Sequence, residues 1–164
     1  MSHRPRKRHT QRCTAFRPGE AMTQDCRTAE FSFLVPDDWK DRRMIAWSAQ
    51  PRPGQAVVPN ILATYDRLPT DKTIEAFVDA QAADLARQAK KFSLIGRREV
   101  LVDGRRGLEI LFRWDAGSGL LRQRQIYVPL DDGRLITLVN TALDSDFEAV
   151  DPLFVDMLAG FKWL

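Results

Sequence analysis

Beyond residue 9 the chain has no histidine; its two, His3 and His9, both lie in a short basic leader. A Ser-His-Asp or Cys-His arrangement, an imidazole general base and a histidine-bearing metal site are thereby excluded from the body of the protein. Cysteine is almost as scarce. Cys13 and Cys26 are the only two, and they have neither metal-ligand spacing nor the pattern of a disulfide framework. No glycine-rich loop opens a helix to cradle a phosphate. No apolar run approaches the roughly 20 residues of a membrane span, which argues against stable membrane insertion. No apolar stretch follows the leader's charges, so they do not form a secretory signal. These absences make a reducing cytoplasm the expected compartment. Two carboxylate pairs remain, Asp37-Asp38 and Asp131-Asp132, and both sit in turn sequences where they serve the backbone. The chain therefore reads as a non-enzyme, with no catalytic residue, metal ligand or cofactor to assign.

What is present is an ordinary globular composition over 164 residues, long enough for one domain with a sizeable core. The charge is unevenly placed. Residues 1–21 carry Arg4, Arg6, Lys7, Arg8, Arg12 and Arg17 against Glu20, a net +5, whereas the whole chain is +3, which leaves residues 22–164 at −2. The basic character thus belongs to a leader, taken as residues 1–27, and residues 28–164 form the domain. The leader is read as disordered, or as the product of a misassigned start with Met22 as the true first residue. A nucleic-acid role for it is the rival reading, but no folded basic face follows to give specific readout, so no specific nucleic-acid partner is expected.

Strand signals come first along the chain. Residues 30–35 alternate and stop at Pro36, 42–48 read as a second strand, and 57–65 as a third, with Pro59 pointing to an edge or a bulge. A helix follows, capped by Thr70 or Asp71. Ile74, Phe77, Val78, Gln81, Leu85 and Ala89 fall on one stripe, and Lys90-Lys91 suit its C-terminal end. Gln81 is the discordant member of that stripe. It either reaches water at the margin or points into a groove beside a sheet.

Residues 92–102 and 106–114 flank Asp103-Gly104, a strong hairpin signal, and Leu108, Ile110, Phe112 and Trp114 share the core face of the second arm. Strands at 120–130 and 134–142 complete a four-strand meander. A last helix spans 145–161, capped by Ser145 or Asp146, or alternatively starting at Pro152 with Asp151 as its cap. The four tryptophans, Trp39, Trp47, Trp114 and Trp163, read as core or sheet-face anchors. The order β-β-β-α-β-β-β-β-α indicates α+β: an antiparallel β-sheet with two packed helices.

One strand stands apart. In LLRQRQIYVPL, residues 120–130, alternation puts Leu121, Gln123, Gln125 and Tyr127 on one face and Arg122, Arg124, Ile126 and Val128 on the other. An amide pair on a semi-apolar face suits a binding surface; solvated edge decoration is the plainer alternative.

Phe31, Pro36, Asp38 and Trp39, then NILATYDRLP, FVDAQAADL, FSLIGRREVLVDGRRGLEILFRW and above all RQRQIYVPLDDGRLITL, carry a family resemblance. From about residue 28 onward the chain resembles the DcrB-like proteins of PsbP-like fold from Gram-negative bacteria. Within them it is most similar to the Eag chaperones of the type VI secretion system. That resemblance implies a cytoplasmic homodimer whose sheet and helix form an apolar groove. The groove would hold the N-terminal transmembrane helices of a toxic effector, of the Rhs or spike-tip type, until the effector is loaded on the spike. Carried over residue by residue, Met44, Ile45, Ala46, Gln81, Leu85, Gln123 and Gln125 match the groove-lining segments, with the strand parity left open. The alternatives are a PsbP-like protein- or ligand-binding module without membrane-helix clients and, ranked last, an unrecognised carboxylate enzyme.

Overall fold

The computed structural model describes residues 23–164 except Ala29 and Asp37; the basic segment 1–21 and the alternative start Met22 lie outside the described residues. The chain order is β1 (Thr23–Arg27), β2 (Ser32–Pro36), β3 (Met44–Ser48), β4 (Asn60–Arg67), α1 (Ile74–Gln88), β5 (Lys90–Val102), β6 (Arg105–Asp115), β7 (Leu120–Pro129), β8 (Arg134–Leu143) and α2 (Phe147–Ala159). The result is the α+β arrangement expected, with one strand more. Thr23–Arg27, counted above with the leader, pairs antiparallel with Ser32–Pro36, so the domain boundary placed at residues 27–28 falls inside a hairpin. TQDCR shows no apolar alternation, and the pairing is made through backbone groups that composition does not reveal. This hairpin belongs to a unit ending at Lys40, and Asp41–Leu164 form a second unit.

In the second unit, six antiparallel strands run in the order β3-β4-β8-β7-β6-β5. Asp103 and Gly104, with φ of 44° and 80°, make the left-handed turn that joins β5 to β6, as the Asp-Gly pair requires. Each sheet face has its own core. On one, Ile74 and Val78 of α1 meet Leu108, Ile110, Phe112, Tyr127 and Leu135, the core face predicted for β6. On the other, Phe154 of α2 meets Val102, Ile126, Val128, Ile136 and Leu138. The C-terminal segment is tied to the β5–β6 turn: Trp163 donates its Nε1–H to the Val102 carbonyl at 2.7 Å, and Lys162 pairs with Asp103 at 2.8 Å.

Several local expectations need correction. Thr73, not Thr70 or Asp71, caps α1, its Oγ1 accepting from Ala76 N–H at 3.2 Å. The earlier residues form a turn closed by Lys72 N–H on the Pro69 carbonyl, 3.0 Å. Lys90-Lys91 open β5 rather than close α1; Lys91 is left-handed, with φ of 52°, and its ammonium pairs with Asp115. Pro59 precedes β4, which is an interior strand flanked by β3 and β8. α2 starts at Phe147 with Asp146 in the N-cap position, its side chain making no capping bond, and Pro152 lies inside it. Phe147 and Phe154 sit two turns apart and are both buried, which holds the first turn in place. Proline then frees only the Glu148 carbonyl, near an exposed helix end where water can satisfy it. Finally, Trp39 and Trp47 are 64% and 69% exposed rather than core anchors; Trp47 lies on the outermost strand.

One glycine is required by close approach. A Cβ on Gly107 would meet the Tyr127 carbonyl oxygen at 2.8 Å and Val128 Cγ2 at 3.1 Å. Backbone cannot yield as a flexible side chain can. Gly107→Ala is therefore expected to cost about 1–3 kcal/mol, read as a lower urea midpoint with an unchanged m-value.

Candidate functional site

Helix α1 packs on β5, β6 and β7. It is held there partly by ion pairs on its outer flank, Glu75 to Arg106 at 2.8 Å and Asp79 to Arg97 at 3.2 Å. On that face β8, β4 and β3 therefore lie beyond the helix, and a groove of about 420 Å³ opens beside it. Register decides which side chains form its floor. Val139 of β8 pairs with Leu62 of β4 and Gln125 of β7, while Thr137 pairs with Thr64 and Tyr127. Paired residues share a face, so two rows cross the sheet, one of Thr and Tyr and one of Leu, Val and Gln. Gln123 lies farther along β7, Met44 borders Thr64 from β3, and α1 supplies the wall through Phe77 and Gln81. Arg42 and Asp66, 3.6 Å apart, are the charged pair in the lining.

Polar groups make up much of the lining: Thr64, Thr137, Tyr127 and three glutamines, beside the Arg42–Asp66 pair. Tyr127 donates its hydroxyl to Gln125 Oε1. Burial pushes the phenol well above its ordinary value, so it stays protonated and remains the donor. The bond fixes Gln125 with its oxygen used, leaving its NH₂ for another acceptor. Among the described residues, Gln81 and Gln123 have no hydrogen-bonding partner. A floor of Leu62, Val139, Thr64 and Thr137 thus carries three amides able to bond whatever lies in the groove.

The guanidinium pair of β7 serves the opposite face. Arg124 is 8% exposed and bonds Asp151 on α2 at 2.9 and 2.5 Å and Glu109 at 2.6 Å, with Arg98 bonding Glu109 from outside at 2.9 Å. Burial would lower the Arg124 pKa, but the bonds to Asp151 and Glu109 outweigh it and raise it. Asn140 donates to Asp151 at 3.2 Å, while its Oδ1 is buried without a partner. Arg122 bonds Asp144 at 2.6 Å and Glu148 at 2.5 Å. Alternation along β7 therefore separates a face that lines the groove from a face that anchors α2.

Of the residues assigned to the groove from sequence, Met44, Gln81, Gln123 and Gln125 line it together. Ala46 has their parity, opposite Leu62, but lies outside the lining. Ile45 is turned to the other face, opposite Ala63, which packs in the α2-side core. Leu85 packs on the core beneath α1. Arg42, Tyr65, Asp66, Phe77, Tyr127, Leu135, Leu62, Thr64, Thr137 and Val139 complete the groove. Alternation in NILATYDR puts Leu62 and Thr64 on one face, and in RLITLVNTA Thr137 and Val139, but nothing local joins the two pairs. Among the described residues no cluster could hold a metal ion, and no helix is long and apolar enough to cross a membrane.

The comparisons with known proteins bear on the fold. The family model DcrB matches residues 30–153. No curated protein matches the chain. PA94 of Pseudomonas aeruginosa, a protein of unknown function, shares the fold with a TM-score of 0.72 at 15% identity, over 87% of this chain and 97% of that one. LpqN of Mycobacterium tuberculosis, involved in cell envelope biogenesis, gives 0.53 at 18% identity, over 82% and 79%. The PsbP protein of Synechocystis gives 0.48 at 19%, over 90% and 95%.

Proposed function

The chain belongs to the DcrB family over residues 30–153, and we propose that its groove is a cargo site. It shields an N-terminal transmembrane helix of a type VI secretion effector in the cytoplasm until the effector is loaded on the spike. The observation that carries this reading is the convergence of Gln81, Gln123 and Gln125 over a mixed floor, part apolar through Leu62 and Val139, beside an uncovered stretch of sheet.

The lining runs from Leu62 to Asp66 on β4 and from Leu135 to Val139 on β8, about 17 Å each, which would seat about half of the roughly 30 Å of a 20-residue helix. Such a helix satisfies its own backbone but has no partner for its side chains in water. Covering on the order of 500 Å² of it gains about 12 kcal/mol gross, and association costs remove much of that. One groove covers one side of a helix, so a second copy of the chain, as the family resemblance implies, would cover the other.

Apolar contact alone would accept any greasy helix. Covering Gln81 and Gln123 without giving them partners costs about 1–3 kcal/mol each, so an all-leucine helix is disfavoured. A helix with small or hydroxyl-bearing residues on one side lets the amides bond and the backbones approach.

The test is co-expression of the full chain with two tagged apolar helices of equal length, one with a Ser/Gly/Thr side and one all-leucine. Wild type is expected to capture the first in preference, and Gln81→Leu with Gln123→Leu and Gln125→Leu to erase that preference by roughly tenfold. Capture of neither helix would sink the reading and leave a binding module for a soluble protein or small ligand.

A further inference from the structure

On the opposite face of the sheet, α2 carries apolar residues on both its sides. Phe147 and Phe154 are buried against the sheet, yet Leu153, Val155 and Met157 are 63%, 49% and 50% exposed. An exposed apolar stripe on a helix whose other side is already buried marks an interaction surface. Ala149, Leu153 and Met157 follow at i, i+4 and i+8 and form a continuous outer stripe.

The stripe has an acidic border. Residues 143–161 hold Asp144, Asp146, Glu148, Asp151 and Asp156 and no basic residue. Asp144 and Asp151 are used internally by Arg122 and Arg124. Asp146 and Asp156 have no ionic partner among the described residues, and Glu148 is 82% exposed even while it touches Arg122.

This charge decides what can cover the stripe. A second α2 packed on the first would oppose carboxylates to carboxylates. An anionic bilayer surface would be repelled likewise. We propose that the outer face of α2 is a docking surface for a basic amphipathic helix of a partner protein. The partner's apolar side covers Leu153 and Met157, and its Lys or Arg residues meet Asp146, Glu148 and Asp156. The surface is separate from the groove and does not depend on what the groove holds.

The test uses the full chain and a fluorescein-labelled helix of lysine and leucine, with a glutamate and leucine helix as control. Anisotropy is expected to report micromolar binding of the basic helix alone, weakening steeply with salt. Leu153→Ser with Met157→Ser, and separately Asp156→Lys, are expected to weaken it at least about tenfold. These positions are exposed, and circular dichroism confirms that each variant folds. Thr137→Arg, in the groove, is expected to leave this binding unchanged. No binding, equal binding of both helices, or loss only with Thr137→Arg would overturn the proposal. So would self-association of the chain abolished by the α2 variants.

Discussion

Truncating Asp151 to alanine is expected to destabilise the protein by about 3–5 kcal/mol. The substitution takes away both of Arg124's contacts to α2, leaving a guanidinium that is 8% exposed with Glu109 alone. It also strips Asn140, fully buried, of the acceptor for its Nδ2. Arg124 and Arg98 would then share the single carboxylate of Glu109, and a buried cation short of a partner costs more than the pair contributes. Thermal or urea unfolding followed by circular dichroism checks the size of the loss. Replacing Arg124, Asp151 and Glu109 together by apolar residues of similar volume is expected to restore much of it. If Asp151→Ala alone costs less than about 1 kcal/mol, the network is solvated and does not anchor α2.

The second large effect concerns binding, not stability. Thr137 lies half-buried mid-floor, paired with Thr64 on one side and Tyr127 on the other. Thr137→Arg places a guanidinium where an apolar cargo helix would lie. The cargo then either buries the charge or lifts away from the floor, and capture is expected to fall by roughly a hundredfold, about 3 kcal/mol. The melting temperature is expected to stay close to that of the wild type, since the new side chain can extend into open groove. Capture retained at the wild-type level would mean that cargo binds elsewhere.

Much of this architecture is legible in the sequence, for local reasons. Asp103-Gly104 and Asp131-Asp132-Gly133 are turn chemistry that sets the register of neighbouring strands, so the meander from β5 to β8 follows. The split of glutamines from arginines on β7 follows from alternation alone. Elsewhere the local signal fails. Met44-Ile45-Ala46 is continuously apolar on the outermost strand, so nothing selects which parity meets the groove. Gln81 and Leu85 share a helical stripe, but Leu85 packs on the core beneath α1 while Gln81 reaches open groove. Leu62 and Thr64 join Thr137 and Val139 only because β4 pairs with β8 across a long stretch of chain. That pairing leaves no mark in either segment.

The two edges of the six-stranded sheet are unequal. β5 begins with Lys90-Lys91, carries Arg97 and Arg98, and breaks register between Lys90 and Ser93 and again between Leu94 and Gly96. β3 has no charge, no proline and no bulge, and all five of its residues are exposed. Positive charge and irregularity guard one border against accidental strand pairing, while the other is left as a bare template. At high concentration or on partial unfolding, this predicts that stray association starts at residues 44–48. A single lysine at Ala46 would raise solubility more than the same change anywhere along β5.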